Sequence, residues 1–191
     1  MPTMDDLTAL LQRAATGDRM ALTGFIRASQ ADVWRFCAHL VDPASADDLT
    51  QEVYLRAMRS MHRFRGDASA KTWLFAVARN VAADEIRRRQ RRRRHEAAAP
   101  PLDAEQPEVD AWPLQDLIDQ LEPERREAFV LTQQLGFSYR DAAATIGVPI
   151  GTVRSRVARG REQLIRTLRD EAGDGSDRDG TGGSGLDETG S

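Results

Sequence analysis

The side chains best suited to contact DNA lie on one face of a helix that the sequence predicts near residues 150–168. At about 100° per residue, six polar side chains fall within about 100° of one another: Thr152, Ser155, Arg156, Arg159, Gln163 and Arg166. No carboxylate shares this face, since Glu162 lies on its flank. Arginine can bond a guanine edge twice, and hydroxyl or amide groups can reach phosphate or adenine. The pattern favours major-groove contact over a solvated face, which normally mixes acids with bases.

A second set of candidate nucleic-acid ligands lies on the helix predicted over residues 70–94. The members that project in a common direction are Trp73, Asn80, Asp84, Arg87 and Arg91. An aromatic ring, an amide and guanidinium groups suit stacking and hydrogen bonding to unpaired bases, although a tryptophan taken alone, such as Trp73, is more often a core residue than a stacking platform. The helix runs into seven arginines in the eight positions 87–94. One helix face cannot bury seven charges, so we expect this run to meet solvent or a polyanion.

A third group consists of carboxylates at the beginning of another predicted helix. Asp48 and Glu52 are one turn apart, and Asp47 precedes them. Three acids could indicate a metal site, but the histidines His39, His62 and His95 are scattered. A helix N-terminus also favours acids through its dipole. We therefore interpret this segment as a helix face for a protein partner, without metal or acid/base chemistry.

The sequence gives no sign of an enzyme or of a membrane protein. It lacks the G-x-x-x-x-G-K-[ST] phosphate loop, the H-E-x-x-H zinc helix and the G-x-S-x-G nucleophile elbow. The sole cysteine, Cys37, cannot form an internal disulfide. No apolar run approaches the roughly eighteen residues that span a bilayer, and the acidic N-terminus is unlike a signal peptide. We predict a cytoplasmic protein with no catalytic residues, no cofactor and no membrane insertion.

Charge and composition divide the chain into four segments. Residues 1–94 and 114–169 carry net charges of +6 and +2, whereas residues 95–113 and 170–191 carry −5 and −6. Four of the eight prolines fall in 95–113, which predicts an extended acidic linker. Half of the 14 glycines fall in 173–190, which predicts a disordered tail over 170–191. The 19 linker residues reach at most about 60 Å, enough to place two small domains on separate sites.

Both basic segments are predicted to be helical, so the fold class is all-α with two small domains. In the first, Leu49, Val53 and Ala57 recur every four residues, and Leu74, Ala78, Val81 and Ala82 form a buried stripe. In the second, Ser138 and Asp141 have the spacing of a capping box. Gly147-Val148-Pro149 then makes a tight turn before the last helix. This order is typical of a helix-turn-helix.

Along the chain, the carboxylates at 47–52 come first, the polar side of the 70–94 helix second and the polar side of the 150–168 helix last. In this order the three groups resemble the extracytoplasmic-function (group IV) sigma factors of the sigma-70 family over about residues 7–94 and 114–168. The resemblance implies a helix that binds the β′ clamp helices of core RNA polymerase, carried by Asp47, Asp48, Leu49, Gln51, Glu52 and Tyr54. It implies −10 promoter reading and melting by Phe64, Lys71, Trp73, Asn80, Asp84, Arg87, Arg88 and Arg91. It implies −35 reading by Thr152, Arg154, Ser155, Arg156, Arg159 and Gln163.

The expected partners are therefore core RNA polymerase, through its β′ and β subunits, promoter DNA, and an anti-sigma factor as a further candidate. The sequence around Ser45–Asp48 and Val157–Arg159 also resembles the actinobacterial sigma-C group. Three features depart from the family: Asp141-Ala142 stands where a Glu-Ile pair is usual, the arginine run is long, and the tail is acidic and glycine-rich. The runner-up interpretation is a stand-alone helix-turn-helix regulator, which polymerase binding by residues 1–94 would exclude.

Overall fold

The computed structural model describes residues 4–96 and 113–174, and all of its regular structure is helical. The first domain contains α1 (Met4–Ala15), α2 (Arg19–Leu40), α3 (Ala46–Ser60) and α4 (Ala70–Glu96). The second contains α5 (Pro113–Asp119), α6 (Pro123–Phe129), α7 (Tyr139–Ile146) and α8 (Ile150–Asp174). Short 3-10 turns flank α3, and a π-helical turn at Val130–Gln134 extends α6. In these two ranges no helix is long and apolar enough to cross a membrane.

Local sequence explains how the first domain bends back on itself between α1 and α2. Gly17 takes a φ of 99°, a left-handed conformation that costs glycine little. Asp18 then caps α2 by accepting a hydrogen bond from the Ala21 amide at 3.0 Å. The same carboxylate pairs with Arg13 at 2.6 Å, and these contacts together hold its pKa below the usual value. The turn is therefore fixed by a glycine and one capping acid.

The core of the first domain lies between α2, α3 and α4. Phe36 packs edge-on against Phe75, with ring centroids 5.2 Å apart, and both side chains are fully buried. The predicted stripe on α4 is confirmed, because Leu74, Ala78, Val81 and Ala82 are all buried. This packing turns the opposite side of α4 towards solvent and so determines which of its polar residues can meet a ligand.

The second domain contains the predicted helix-turn-helix. The Ser138 hydroxyl caps α7 by accepting from the Asp141 amide at 3.1 Å, as the capping-box spacing predicts. Gly147 ends α7 with a φ of 79°, and α8 begins three residues later. Helical periodicity in the sequence predicts one apolar, buried side of α8 that includes Ile150, Val153, Val157 and Leu168. Val153 and Val157 are buried, but the prediction is wrong for Ile150 and Leu168, which are 40% and 49% exposed.

The linker and tail lie mostly outside the described residues. The helix α4 continues to Glu96 and α5 begins at Pro113, so both ends of the predicted linker are helical. The helix α8 continues to Asp174, five residues into the segment that composition assigns to the tail. The boundary at residue 170 therefore marks a change in composition and not the end of the helix.

The two domains pack against each other along α4. We call this contact the interdomain seam and define it by Lys71, Phe75 and Arg79 on α4 with Glu127 and Phe137 of the second domain. Arg79 Nε donates to Glu127 Oε1 at 2.6 Å. Phe75 and Phe137 meet edge-on with centroids 5.1 Å apart, and the Lys71 ammonium lies 4.9 Å from the Phe137 ring centroid. The seam joins an apolar centre to a charged edge.

Candidate nucleic-acid and partner-binding surfaces

The acids at the beginning of α3 form an exposed surface. We call it the acidic face and define it by Asp47, Asp48, Gln51 and Glu52. The first three side chains are exposed and Glu52 is half-buried. Asp47 lies four residues before Gln51, and Asp48 four residues before Glu52, so the members stand in two adjacent rows on one side of the helix. The face can accept hydrogen bonds and attract a basic partner.

The structure places two predicted partner-binding residues beneath this face. Leu49 belongs to the buried core. Tyr54 is also buried, and its hydroxyl lies 2.7 Å from the Ser29 hydroxyl. Burial raises the pKa of Tyr54 to about 12, with the Ser29 hydrogen bond offsetting part of the effect. In this structure Tyr54 and Leu49 support the helix that carries the acidic face, and their direct contact with a partner stays a prediction.

One aromatic neighbour of the acidic face was not predicted from the sequence. Trp34 on α2 donates its indole Nε1–H to Asp47 Oδ1 at 3.0 Å and stays 37% exposed. Leu55, one turn after Gln51, is 45% exposed. Exposed tryptophan is frequent at the centre of protein interfaces. Nothing local marks Trp34, because its contact with Asp47 is made between two helices.

The polar side of α4 carries most of the residues expected to read unpaired DNA. Asn80, Asp84, Arg87, Arg88 and Arg91 are exposed. Trp73 is half-buried and packs edge-on against Phe64, with centroids 5.7 Å apart. Each ring therefore supports the other and keeps part of its surface at solvent. We refer to Trp73, Asn80, Arg87, Arg88 and Arg91 as the α4 polar face.

Four charged side chains connect the acidic face to the α4 polar face. Arg56 Nε donates to Glu52 Oε1 at 2.6 Å, and its Nη1 donates to Asp84 Oδ2 at 2.6 Å. The other oxygen of Asp84 accepts from Arg87 Nη2 at 2.6 Å. Hydrogen bonds from Arg56 and then Arg87 lower the pKa of Asp84. We call Glu52, Arg56, Asp84 and Arg87 the charge chain; it lines an open cleft of about 300 Å³ between α3 and α4.

Arg89 corrects the expectation that the whole arginine run meets solvent or a polyanion. Its Nε donates to Glu85 Oε1 at 2.8 Å, Nη2 reaches Ser45 Oγ at 2.5 Å, and Nη1 donates to Asp42 Oδ2. The side chain is half-buried between α4 and the turn before α3. Arg89 therefore anchors α4 to that turn, whereas Arg91 to Arg94 are exposed.

The seam engages two residues that were expected to meet DNA. Lys71 donates from Nζ to the Leu135 carbonyl at 2.6 Å and is half-buried. Arg156 on α8 is half-buried and lies close enough to Glu127 to interact with its charge. Burial raises the pKa of Glu127, and the guanidinium groups of Arg79 and Arg156 offset only part of this effect. In this arrangement α4 contributes Lys71 to the seam, and Arg156 lies beside a seam carboxylate of its own domain.

The predicted DNA-reading side of α8 is otherwise accessible. Arg154, Ser155 and Arg159 are exposed, and Thr152 is half-buried. Gln163 has structural contacts, since its Oε1 accepts from Arg125 at 3.0 Å and its Nε2 donates to the Gln120 carbonyl at 3.0 Å. We refer to Thr152, Arg154, Ser155, Arg156 and Arg159 as the α8 polar face. Within residues 4–96 and 113–174, no group of three or more His, Cys, Asp or Glu side chains could hold a metal ion.

Removing Arg79 is expected to open the seam. In the closed form of such a variant, Glu127 would be buried without its hydrogen-bonded partner. Because an unpaired buried carboxylate is costly, the closed form is destabilised. We expect Arg79→Ala to increase the radius of gyration measured by small-angle X-ray scattering. Arg91→Ala removes the same charge from an exposed position on the same helix and is expected to leave the radius unchanged. Equal radii for Arg79→Ala and the wild type would contradict a seam held by this pair.

Comparison with known proteins gives matches along most of the chain. Residues 25–92 match the family model Sigma-70 region 2, and residues 112–164 match Sigma-70, region 4. The chain is 48% identical to the "Probable RNA polymerase sigma-C factor" of Mycobacterium bovis over 165 residues, 83% of this chain and 89% of that relative. It is 30% identical to the "RNA polymerase sigma-H factor" of Pseudomonas aeruginosa over 188 residues, 88% of this chain and 97% of the relative.

Solved structures show the same helical architecture. The sigma factor RpoE from Bartonella quintana, in complex with the anti-sigma factor NepR, aligns with a TM-score of 0.68 at 28% identity, covering 78% of this chain and 96% of that one. CnrH in complex with the cytosolic domain of CnrY also gives a TM-score of 0.68, at 23% identity, over 86% of this chain and 98% of the other. The second likeness concerns the fold.

Proposed function

The chain belongs to the extracytoplasmic-function sigma factors of the sigma-70 family, and we propose that its three polar faces divide promoter recognition between them. A sigma factor directs core RNA polymerase to promoters and makes no bonds itself. The observation that supports the division is the placement of the acidic face on α3 and of the two arginine-bearing faces on helices of different domains. Each face can therefore meet a different ligand.

The acidic face is the proposed contact with the β′ clamp helices of the polymerase. Asp48, Gln51 and Glu52 offer carboxylate and amide groups, and the exposed ring of Trp34 lies beside them. Charged groups that become desolvated in an interface guide both specificity and association. The β subunit is proposed as a second polymerase partner.

The two DNA faces would read different promoter elements. The α4 polar face combines an aromatic ring with an amide and three guanidinium groups, which suits the unpaired strand of a melted −10 element. The α8 polar face follows a helix-turn-helix and suits the major groove of the −35 element. Lys71 would join the α4 polar face only when the seam opens, because it donates to the Leu135 carbonyl of the second domain.

An anti-sigma factor is a further proposed partner. The RpoE structure similar to this chain was determined with the anti-sigma factor NepR. A protein that binds across both domains would keep the seam closed and the DNA faces apart from promoter DNA. We also propose that the protein acts in the reduced cytoplasm, where its buried Cys37 thiol would stay protonated, since burial raises the pKa of Cys37 to about 12.

Run-off transcription tests the proposed function directly. Purified core RNA polymerase is mixed with the protein and with genomic promoter fragments. Transcripts that begin at defined positions only when the protein is present support the proposal. A protein that binds DNA without binding core polymerase would instead be a stand-alone helix-turn-helix regulator, an alternative that the match to Sigma-70 region 2 does not favour.

Replacing Trp73 is expected to impair promoter opening. Loss of one base stack is worth about 1–3 kcal/mol, roughly fivefold to 150-fold in open-complex formation. A template with a premelted −10 segment should restore much of the activity of Trp73→Ala, because it no longer needs strand separation. Kinetics of open-complex formation on duplex and premelted templates provide the measurement.

The alternative for Trp73 is a purely structural role against Phe64, which it contacts edge-on. Phe64→Ala removes the supporting ring and is the matched comparison. If Trp73→Ala is equally defective on duplex and premelted templates, the tryptophan serves the core and the melting assignment is wrong.

A further inference from the structure

The charge chain contains one acid on the side of α4 that is expected to face DNA. Asp84 lies on the same side as Arg87 and Arg91, yet an unpaired carboxylate there would repel phosphate groups. Both of its oxygens are occupied, Oδ2 by Arg56 and Oδ1 by Arg87. A carboxylate that accepts two charge-assisted hydrogen bonds is electrostatically close to a neutral group. Its effect on DNA therefore depends on its partners.

Of the two partners of Asp84, Arg87 lies on the same helix and Arg56 comes from another helix. It projects from α3 and uses separate nitrogens for Glu52 and Asp84, each at 2.6 Å. Hydrogen bonds to Asp84 and Glu52 raise the pKa of its guanidinium. Arg87, by contrast, is an exposed residue of the α4 polar face. A guanidinium that turns towards a DNA phosphate releases Asp84, and Arg56 then remains its sole partner.

We propose that Arg56 is a positioning residue for promoter binding: it neutralises Asp84 and thereby frees Arg87 to bind the DNA backbone. The inference rests on the proposed function and deepens it, because it concerns the same −10 surface. Arg56 itself needs no contact with DNA. Its side chain and that of Asp84 are 37% and 47% exposed, so the pair adds little to folding stability and its main effect is on the local charge.

Glu52 belongs both to the charge chain and to the acidic face that is proposed to bind polymerase. Arg56 shares its charge between Glu52 on the acidic face and Asp84 on α4. When a basic group of the polymerase takes over Glu52, Arg56 is left with Asp84 alone. The neutralisation of Asp84 would then be strongest in the assembled holoenzyme, the form that meets promoter DNA.

The test measures the binding of reconstituted holoenzyme to a promoter fragment with an unpaired −10 segment, chosen because wild-type holoenzyme transcribes it. Arg56→Ala is expected to weaken this binding roughly fivefold at low salt, and to reduce the slope of log affinity against log salt by about 1, as for the loss of one phosphate contact. Asp84→Asn alone is expected to strengthen binding. The double variant Arg56→Ala/Asp84→Asn is expected to regain the wild-type affinity and slope.

A matched control removes the same charge from the next turn of α3. Arg59 is exposed and is not part of the charge chain, so Arg59→Ala is expected to bind the fragment as the wild type does. The affinity of every variant for core polymerase, measured in the same samples, reports whether the first domain is folded. We expect Arg56→Ala to bind polymerase at least as tightly as the wild type, because Arg56 no longer competes for Glu52, and this separates a promoter defect from an assembly defect.

Four results would overturn the inference. Normal promoter binding by Arg56→Ala would show that Asp84 needs no second partner. A defect that Asp84→Asn does not relieve, or that Arg59→Ala reproduces, would show that Arg56 acts through the fold or through general charge. Weaker binding by Asp84→Asn alone would make Asp84 itself a DNA contact. Failure of the proposed function looks different, because wild-type holoenzyme would then transcribe no promoter fragment from which the test fragment could be chosen.

Discussion

Reversing the charge of Asp48 and Glu52 together is expected to abolish holoenzyme assembly at concentrations where the wild type is saturated. Charge pairs that are desolvated at an interface cost about 2–5 kcal/mol when one partner is lost, or at least roughly thirtyfold in affinity. The reversal also places two cations against a surface that binds acids. Neither side chain belongs to the buried core, so the domain should remain folded.

The measurement is the affinity of Asp48→Arg/Glu52→Arg for core polymerase, with circular dichroism to verify the fold. The control reverses two exposed acids away from α3, Asp67 and Glu124, which changes the net charge by the same amount. Assembly should survive in the control. Holoenzyme formation by Asp48→Arg/Glu52→Arg at the wild-type level would show that the acidic face is not the polymerase contact.

Removing Arg156 and Arg159 is expected to have the second largest effect, confined to promoters that depend on the −35 element. Removal of an arginine that reads a base weakens binding by about 1–3 kcal/mol and relaxes the base preference at one position of the DNA site. The two side chains are one turn apart on the α8 polar face, so the double variant should lose roughly 25-fold or more in transcription from such promoters. Binding to core polymerase should be unchanged, because the acidic face lies in the other domain.

Single variants separate base reading from phosphate binding. An arginine on a phosphate should weaken all sequences alike and reduce the salt slope by about 1, whereas one on a base should change the preferred sequence. Arg169→Ala, an exposed position two to three turns further along α8, is the control. If Arg156→Ala or Arg159→Ala loses polymerase binding but keeps −35 recognition, the assignment of functions to the two domains is wrong.

Features determined by neighbours along the chain could be predicted from the sequence. The capping box at Ser138, the left-handed turn at Gly147 and the buried stripe on α4 depend on spacing within one helix or turn. The exposure of Asn80 and Arg159 follows from the same periodicity, because a helix with one apolar side must turn the other side outwards. The family and its function were predicted from the order of three such patterns and are confirmed by the comparisons.

Features that depend on contacts between helices could not be predicted. Arg89 is one arginine among seven in the run, and only the fold brings it to Asp42 and Ser45, which precede it by more than forty residues. Tyr54 was placed on the partner surface because its neighbours in the sequence lie there, yet its hydroxyl bonds Ser29 inside the core. The sequence does not indicate that Arg56 is shared by two acids, because Glu52 and Asp84 lie on different helices that only the fold brings together.

Through the interdomain seam, the second domain competes with DNA for a surface of the first domain to which it is covalently tethered. DNA that needs Lys71 must displace a contact that this side chain makes with the second domain of the same chain. If the open form is a fraction f of all molecules, the apparent dissociation constant is the intrinsic one divided by f, so a seam closed about 99% of the time weakens binding about a hundredfold. Dilution gives no relief, because the effective concentration of a tethered competitor is set by the length of its linker. The partner that binds the open form better than the closed form therefore determines when the protein becomes able to bind DNA.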